Sequence, residues 1–196
     1  MFPVSKRICD IVISLIVIVA LIPVFLLLSI CIKLDSPGPV LFRQKRIGKG
    51  KKEFYILKFR TMKMDTPDDI PTHLLNNPEA YITRVGKLLR KTSLDELPQI
   101  INILRGEMSI VGPRPALWNQ YDLIAEREKY RANEVLPGLT GLAQVSGRDE
   151  LPIVVKAKFD GEYVEKQGFR LDFKILVMTV ICVLKSEGVK EGERAA

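Results

Sequence analysis

Residues 8–32, ICDIVISLIVIVALIPVFLLLSICI, form a 25-residue stretch that is apolar apart from Asp10 and two serines. At ~1.5 Å rise per residue a helix of this length covers roughly 37 Å, more than the ~30 Å hydrocarbon core of a bilayer. A helix apolar on every side predicts a membrane-embedded segment. Its length, and the lack of a small-residue cleavage site before Lys33, argue against a signal peptide. Two features argue against a simple span. Pro23 lies near the middle, where it removes a helical hydrogen bond and bends the axis. Basic residues flank both ends, Lys6 and Arg7 before, then Lys33 and a cluster from Arg43 onward. The positive-inside rule puts both flanks on the cytoplasmic side. A re-entrant hairpin kinked at Pro23 satisfies both observations, so residues 1–34 are expected to form it and residues 35–196 a cytoplasmic-face body.

That body is basic. Between Arg43 and Lys63 there are nine positive residues and one negative, Glu53, an excess larger than the +7 of the whole chain. Anionic partners follow, whether lipid head groups, nucleotides or nucleic acid, and the position after a membrane segment favours lipid. Cys9, Cys31 and Cys182 each sit in apolar segments, without disulfide or metal-ligand spacing. His73 is the only histidine, which argues against a Ser-His-Asp triad and a His/Cys zinc site. Any metal must therefore accept oxygen ligands, which favours magnesium or manganese.

Chemistry concentrates in Arg90–Pro115, RKTSLDELPQIINILRGEMSIVGPRP. Asp95 and Glu96 are adjacent carboxylates between Arg90 and Lys91 on one side and Arg105 and Arg114 on the other. They precede an apolar run, Ile100–Leu104, that reads as a helix, and the stretch closes on the rigid turn Gly112–Pro115. Carboxylates among fixed cations suit phosphate chemistry: the acids hold a metal or attack, and the arginines hold phosphate oxygens. The same letters have a plainer meaning. Ser93-x-x-Glu96 before an apolar run is also a capping box, in which both side chains satisfy backbone N–H groups. Local pattern alone does not separate the two readings.

The remaining elements can be read in order. Val40–Gln44 and Glu53–Lys58 predict two strands of a hairpin, with Gly48 and Gly50 in the loop. Lys58 and Arg60, in the more apolar ILKFRTM, are better candidates for an internal site than the loop lysines. Residues 65–80 predict a mobile loop. Helices are expected over Ile82–Lys91, Asn119–Glu134, Leu151–Lys166 (amphipathic) and Leu171–Lys185, the last too short to span and suited either to the interface or to a core. Leu136–Arg148 is rich in glycine, which lets backbone approach a ligand, and ends on the guanidinium of Arg148. It matches neither a Walker A loop nor a dinucleotide fingerprint. The tail from Ser186 is polar and expected to fray.

Taken together these stretches resemble the bacterial sugar transferases of the small monotopic phosphoglycosyl transferase type. The resemblance runs through Lys6-Arg7-x-x-Asp10, the proline-broken helix, SPGPVLFRQKRIG, KFRTM, SLDELPQIINILRGEMSIVGPRP and PGLTGLAQVSGR, nearly the whole chain. PRPALWNQY is similar to the capsule- and surface-glycan-initiating members. One departure is Ile22-Pro23, where many members carry Ser-Pro.

The resemblance implies an α+β, mainly helical fold: a re-entrant membrane helix, a small catalytic domain with a β-hairpin, and amphipathic interfacial helices, at the cytoplasmic face of the bacterial inner membrane. It implies transfer of a sugar 1-phosphate from a UDP-sugar to undecaprenyl phosphate, releasing UMP, in two steps through a phosphosugar-aspartyl enzyme with Mg2+. Asp95 falls on the nucleophile and Glu96 on its acidic neighbour, the two together as metal ligands. Arg90 and Arg114 match positions that handle phosphate, and Arg60, Lys58 and Arg148 are expected to face phosphate or nucleotide. The expected partners are the UDP-sugar, undecaprenyl phosphate and membrane lipids rather than nucleic acid, with a homo-oligomer left open. An N-acetylated sugar, whether deoxy or not, is the expected donor. Two alternatives stand beside this: a membrane-anchored basic module that binds anionic lipid or nucleic acid, and a one-step transferase working through a ternary complex.

Overall fold

The computed structural model describes residues 2–67, 77–147 and 151–185. Its first element, α1 (Phe2–Asp35), is a 34-residue helix with Pro23 inside it. The helix is continuous across Pro23, and the expected break into a hairpin does not divide it into two elements. Its middle exposes Val12, Ile13, Leu15, Ile16, Val19 and Ile22, an apolar surface that the rest of the chain leaves uncovered. Among the described residues it is the one helix long and apolar enough to cross a membrane.

Both ends of α1 are tied to the rest of the chain by polar contacts. Near its start, Lys6 Nζ lies 2.6 Å from Asp172 Oδ2. Arg7 donates to the carbonyls of Ile103 and Leu104, at the end of a helix where carbonyls lack intrahelical partners. Asp10, only 3% exposed, accepts from Ser109 Oγ at 2.8 Å and Ile110 N–H at 3.1 Å. At the other end the Phe25 and Phe59 rings lie 5.5 Å apart, and Ile32 packs with Phe59 and Leu89. Asp35 Oδ2 accepts from Val85 N–H at 2.9 Å, capping the first turn of the next helix together with Thr83. A carboxylate there also faces the positive end of that helix.

After α1 the chain forms the expected hairpin, β1 (Leu41–Ile47) against β2 (Glu53–Phe59), in register from Leu41 opposite Phe59 to Ile47 opposite Glu53. Gly50 takes a φ of 65° in the connecting turn, a conformation glycine adopts without strain. β1 runs three residues past Gln44, the end of the expected strand, because its far end also pairs with β4 (Ala116–Leu117). The order β2-β1-β4 leaves β2 at an edge. α2 (Arg84–Thr92) and α3 (Gln99–Arg105) follow, with Leu89 of α2 buried beside Phe59 and Ile103 of α3 against Phe54, Ile56 and Met108.

A second, parallel sheet joins β3 (Ser109–Val111) and β5 (Gly138–Thr140). Here glycine is a packing requirement. A Cβ on Gly138 would lie 2.1 Å from Gly112 N, and one on Gly141 would lie 2.1 Å from Gly112 O. The glycine-rich segment therefore spends these two glycines on its own turn partner rather than on open approach to a ligand. α4 (Tyr121–Glu128) is shorter than the helix expected over Asn119–Glu134, which breaks where Arg131 turns left-handed at φ 55°. α5 (Leu142–Val145) and α6 (Ile153–Lys166) follow, and the buried pair Arg127–Asp160, 2.7 Å apart, ties α4 to α6. α7 (Phe169–Lys185) buries Asp172 and Ile175 on one side and exposes Phe169, Phe173, Val177, Val180 and Leu184 on the other. Most of the expected loop 65–80, at 68–76, and the tail from Ser186 lie outside the described residues.

Candidate active site

α2 ends at Ser93, whose left-handed conformation (φ 56°) returns its N–H to Arg90 and Leu89. The chain then makes one 3-10 turn, Leu94–Glu96, and passes Pro98 before α3 begins. Proline is accommodated there because it precedes the helix interior. This short rigid connection carries Asp95 and Glu96.

The capping-box alternative does not hold. Ser93 makes no side-chain cap, and Glu96 turns away from the backbone. Glu96 Oε1 accepts from Lys58 Nζ at 2.8 Å and from Arg114 Nη2 at 2.9 Å. One carboxylate oxygen thus gathers a lysine from β2 and an arginine from the Gly112–Pro115 turn. Burial opposes ionisation of Glu96, but the charges of Arg114 and Lys58 and their hydrogen bonds outweigh it. They hold the carboxyl well below its ordinary range. Asp95 behaves in the opposite way. Burial is the largest influence, and the neighbouring Glu96 adds to it; Lys58, Arg90 and Arg114 only partly counter them, leaving the carboxyl at about 6. Two adjacent acids are therefore set apart: one is a permanent anion that collects cations, the other is ionised at neutral pH and weakly compensated.

The turn bearing Arg114 is held from two sides. Gly112 N–H donates to Thr140 C=O and Gly138 N–H to Pro113 C=O, at 2.8 and 2.9 Å. Across the sheet, Arg46 Nη1 donates to Pro115 C=O at 3.1 Å, with Arg46 Nη2 on Gln44 Oε1. Neither Arg46 nor Gln44 was assigned a role from sequence, although FRQKR was visible as a motif.

Of the expected residues, Asp95, Glu96, Lys58 and Arg114 come together, and Arg90 acts on Asp95 through its charge from the last turn of α2. Arg60 does not join them. It is 4% exposed and donates to the carbonyls of Ile32, Ser36 and Pro37, clasping the end of α1. Arg148 lies outside the described residues. The described residues hold no group of three or more His, Cys, Asp or Glu side chains suited to a metal. A cation at Asp95 and Glu96 would need substrate oxygens and water to complete its shell, a pattern that suits magnesium.

The bacterial sugar transferase family profile matches residues 1–186. The chain belongs to the bacterial sugar transferase family. Within that family, the chain is 37% identical over 199 residues to the exopolysaccharide production protein ExoY of Sinorhizobium fredii, covering 94% of this chain and 88% of that protein. It is 39% identical over 186 residues to EpsL of Bacillus subtilis, an uncharacterised sugar transferase, covering 95% and 90%. It is 40% identical over 191 residues to the UDP-glucose:undecaprenyl-phosphate glucose-1-phosphate transferase of Xanthomonas campestris pv. campestris. That match covers 93% of this chain and 39% of the longer relative, so the chain spans about two-fifths of it.

Proposed function

We propose that this chain transfers a sugar 1-phosphate from a UDP-sugar to undecaprenyl phosphate, releasing UMP, at the cytoplasmic face of a bacterial inner membrane. The observation that carries this is the pairing of a weakly compensated Asp95 with the cation-collecting Glu96. In the first step an Asp95 carboxylate oxygen attacks the phosphorus that bears the sugar. The bond from that phosphorus to the bridging oxygen breaks, UMP leaves with the electron pair, and a phosphosugar ester remains on Asp95. In the second step an oxygen of undecaprenyl phosphate attacks the same phosphorus and Asp95 departs as carboxylate. Arg114, Lys58 and Arg90 supply fixed positive charge for the diphosphate and the departing UMP. Glu96 holds Lys58 and Arg114 in place. Asp95 and Glu96 would hold Mg2+, which when bound neutralises diphosphate charge.

Both ends of α1 are tethered by protein contacts and both are flanked by basic residues, which supports a helix that enters and leaves through one leaflet, bent at Pro23. The exposed stripe of α7, bordered by Arg170 and Lys174, supports an interfacial helix. Such an arrangement brings a soluble donor and a lipid acceptor to one site in turn, which a covalent step makes feasible.

The Xanthomonas campestris relative is named for UDP-glucose, so UDP-glucose is the first donor to try, beside N-acetylated UDP-sugars. Detergent-purified protein with Mg2+ is expected to release UMP continuously only when one UDP-sugar and undecaprenyl phosphate are both present. Salt-sensitive binding of lipid or nucleic acid with no UMP from any donor would sink the proposal and favour the anchored binding module.

A further inference from the structure

We infer that Asn102 is a positioning residue that sets Lys58 against Glu96. Asn102 is 0% exposed and lies on the face of α3 that meets β2. Its Oδ1 accepts from Leu57 N–H at 2.9 Å, and its Nδ2 donates to Tyr55 C=O at 2.8 Å and to Glu107 Oε2 at 2.7 Å. β2 is an edge strand, and groups two residues apart on a strand face the same way. The carboxamide therefore fills the place of a neighbouring strand's peptide, and Glu107 orients it.

A two-point grip of this kind fixes α3 along the strand as well as against it. Slipping the strand by one residue moves it ~3.3 Å, which breaks both bonds. The grip lies beside the site on both segments: Leu57 precedes Lys58, and Asn102 follows Glu96 by six residues. Between Glu96 and Asn102 the backbone is stiff, with Leu97 N–H on Leu94 C=O, Ile100 N–H on Leu97 C=O and Ile101 N–H on Pro98 C=O. Lys58 and Glu96 lie 38 residues apart in sequence, and Asn102, buried at the end of that stiff run, bonds the strand that carries Lys58. A buried amide with all three of these bonds made also specifies one arrangement, since any other leaves polar groups unpaired.

This inference rests on the proposed transfer for its activity arm and not for its stability arm. Asn102→Gln keeps the amide and lengthens its reach by one methylene. UMP release by Asn102→Gln is expected to fall at least ~10-fold in kcat while the protein still melts above the assay temperature, the scale of loss that small misplacements cause. Lys58→Met should cost UMP release heavily in the otherwise unchanged protein and less than about twofold more in the Asn102→Gln background, as non-additivity within one unit requires. The same cycle on thermal unfolding needs no substrate: Lys58→Met is expected to lower Tm by about 3 °C alone and by much less with Asn102→Gln. If Asn102→Gln does not fold, Asn102→Asp with Glu107→Gln replaces it, judged against Glu107→Gln alone. Full activity in a folded variant, or effects of Lys58→Met that are undiminished in both arms, would overturn the inference. If the unaltered protein releases no UMP, the functional reading fails and the unfolding cycle alone decides Asn102.

Discussion

Replacing Asp95 by Asn should make the protein more stable at neutral pH while abolishing its activity. Burial holds the Asp95 carboxyl at about 6 against an ordinary 3.8, so folding disfavours its ionised form. At ~1.4 kcal/mol per pH unit that gap is worth about 3 kcal/mol once Asp95 is fully ionised. The sign follows from proton binding. The folded state holds the proton more tightly, so the favourable contribution is complete below pH 3.8 and is lost as pH rises through 6. Asparagine keeps the shape and carries no charge at any pH. Asp95→Asn should therefore match the unaltered protein near pH 4 and exceed it above pH 7, by about 3 kcal/mol at most. For a chain of this size that is roughly 6–12 °C in Tm. Thermal unfolding in detergent at pH 4, 6 and 7.5, followed by circular dichroism, measures it. A variant no more stable than its parent at pH 7.5, or a difference that stays constant across the range, would refute the view that Asp95 is held charged against its surroundings.

Other predictions follow from the same geometry. UMP release in the first step should rise with pH to a midpoint no higher than about 6, because attack needs the Asp95 carboxylate and bound Mg2+ favours it; stopped-time assays from acid to neutral pH show the midpoint. Arg114→Lys retains the charge and loses the planar fork, so kcat/KM should fall by ~10–100-fold with little change in Tm. Gly138→Ala places a Cβ against Gly112 N, and should lower both Tm and UMP release by displacing the turn that carries Arg114. A cysteine at position 2, in a chain whose own cysteines are replaced, should resist labelling by an impermeant maleimide added outside intact cells. Labelling from outside would show that α1 crosses the bilayer.

Several elements were legible because their signals are local. The apolar run gave α1, alternation around Gly48 and Gly50 gave the hairpin, and periodicity gave α2, α6 and α7 to within a few residues. The site was half legible. Asp95, Glu96 and Arg114 stand out as charges beside rigid turns, but Ser93-x-x-Glu96 reads equally as a cap. What settles it is Lys58, 38 residues away, and nothing in the local letters records that distance. Lys58 and Arg60 illustrate the same limit. Strand alternation puts them on one face, yet β2 ends at Phe59, so Arg60 leaves the pleat and turns to the carbonyls at the end of α1. The β3–β5 pair was invisible because three-residue strands carry no periodicity, and its glycines looked like ligand approach rather than contact between Gly112 and Gly138. Asn102 did leave a trace: an amide within the apolar run IINIL implies a buried hydrogen-bonding duty, though not its partners.

The central claim is that Asp95 becomes covalently loaded. Purified protein mixed with the accepted UDP-sugar and Mg2+, without undecaprenyl phosphate, should release about one UMP per chain and then stop. The intact mass should rise by one phosphosugar, placed on Asp95 by peptide mapping and discharged when undecaprenyl phosphate is added. Release of UMP only in the presence of the lipid, with no added mass at any time, would contradict the account and leave a one-step transfer in its place.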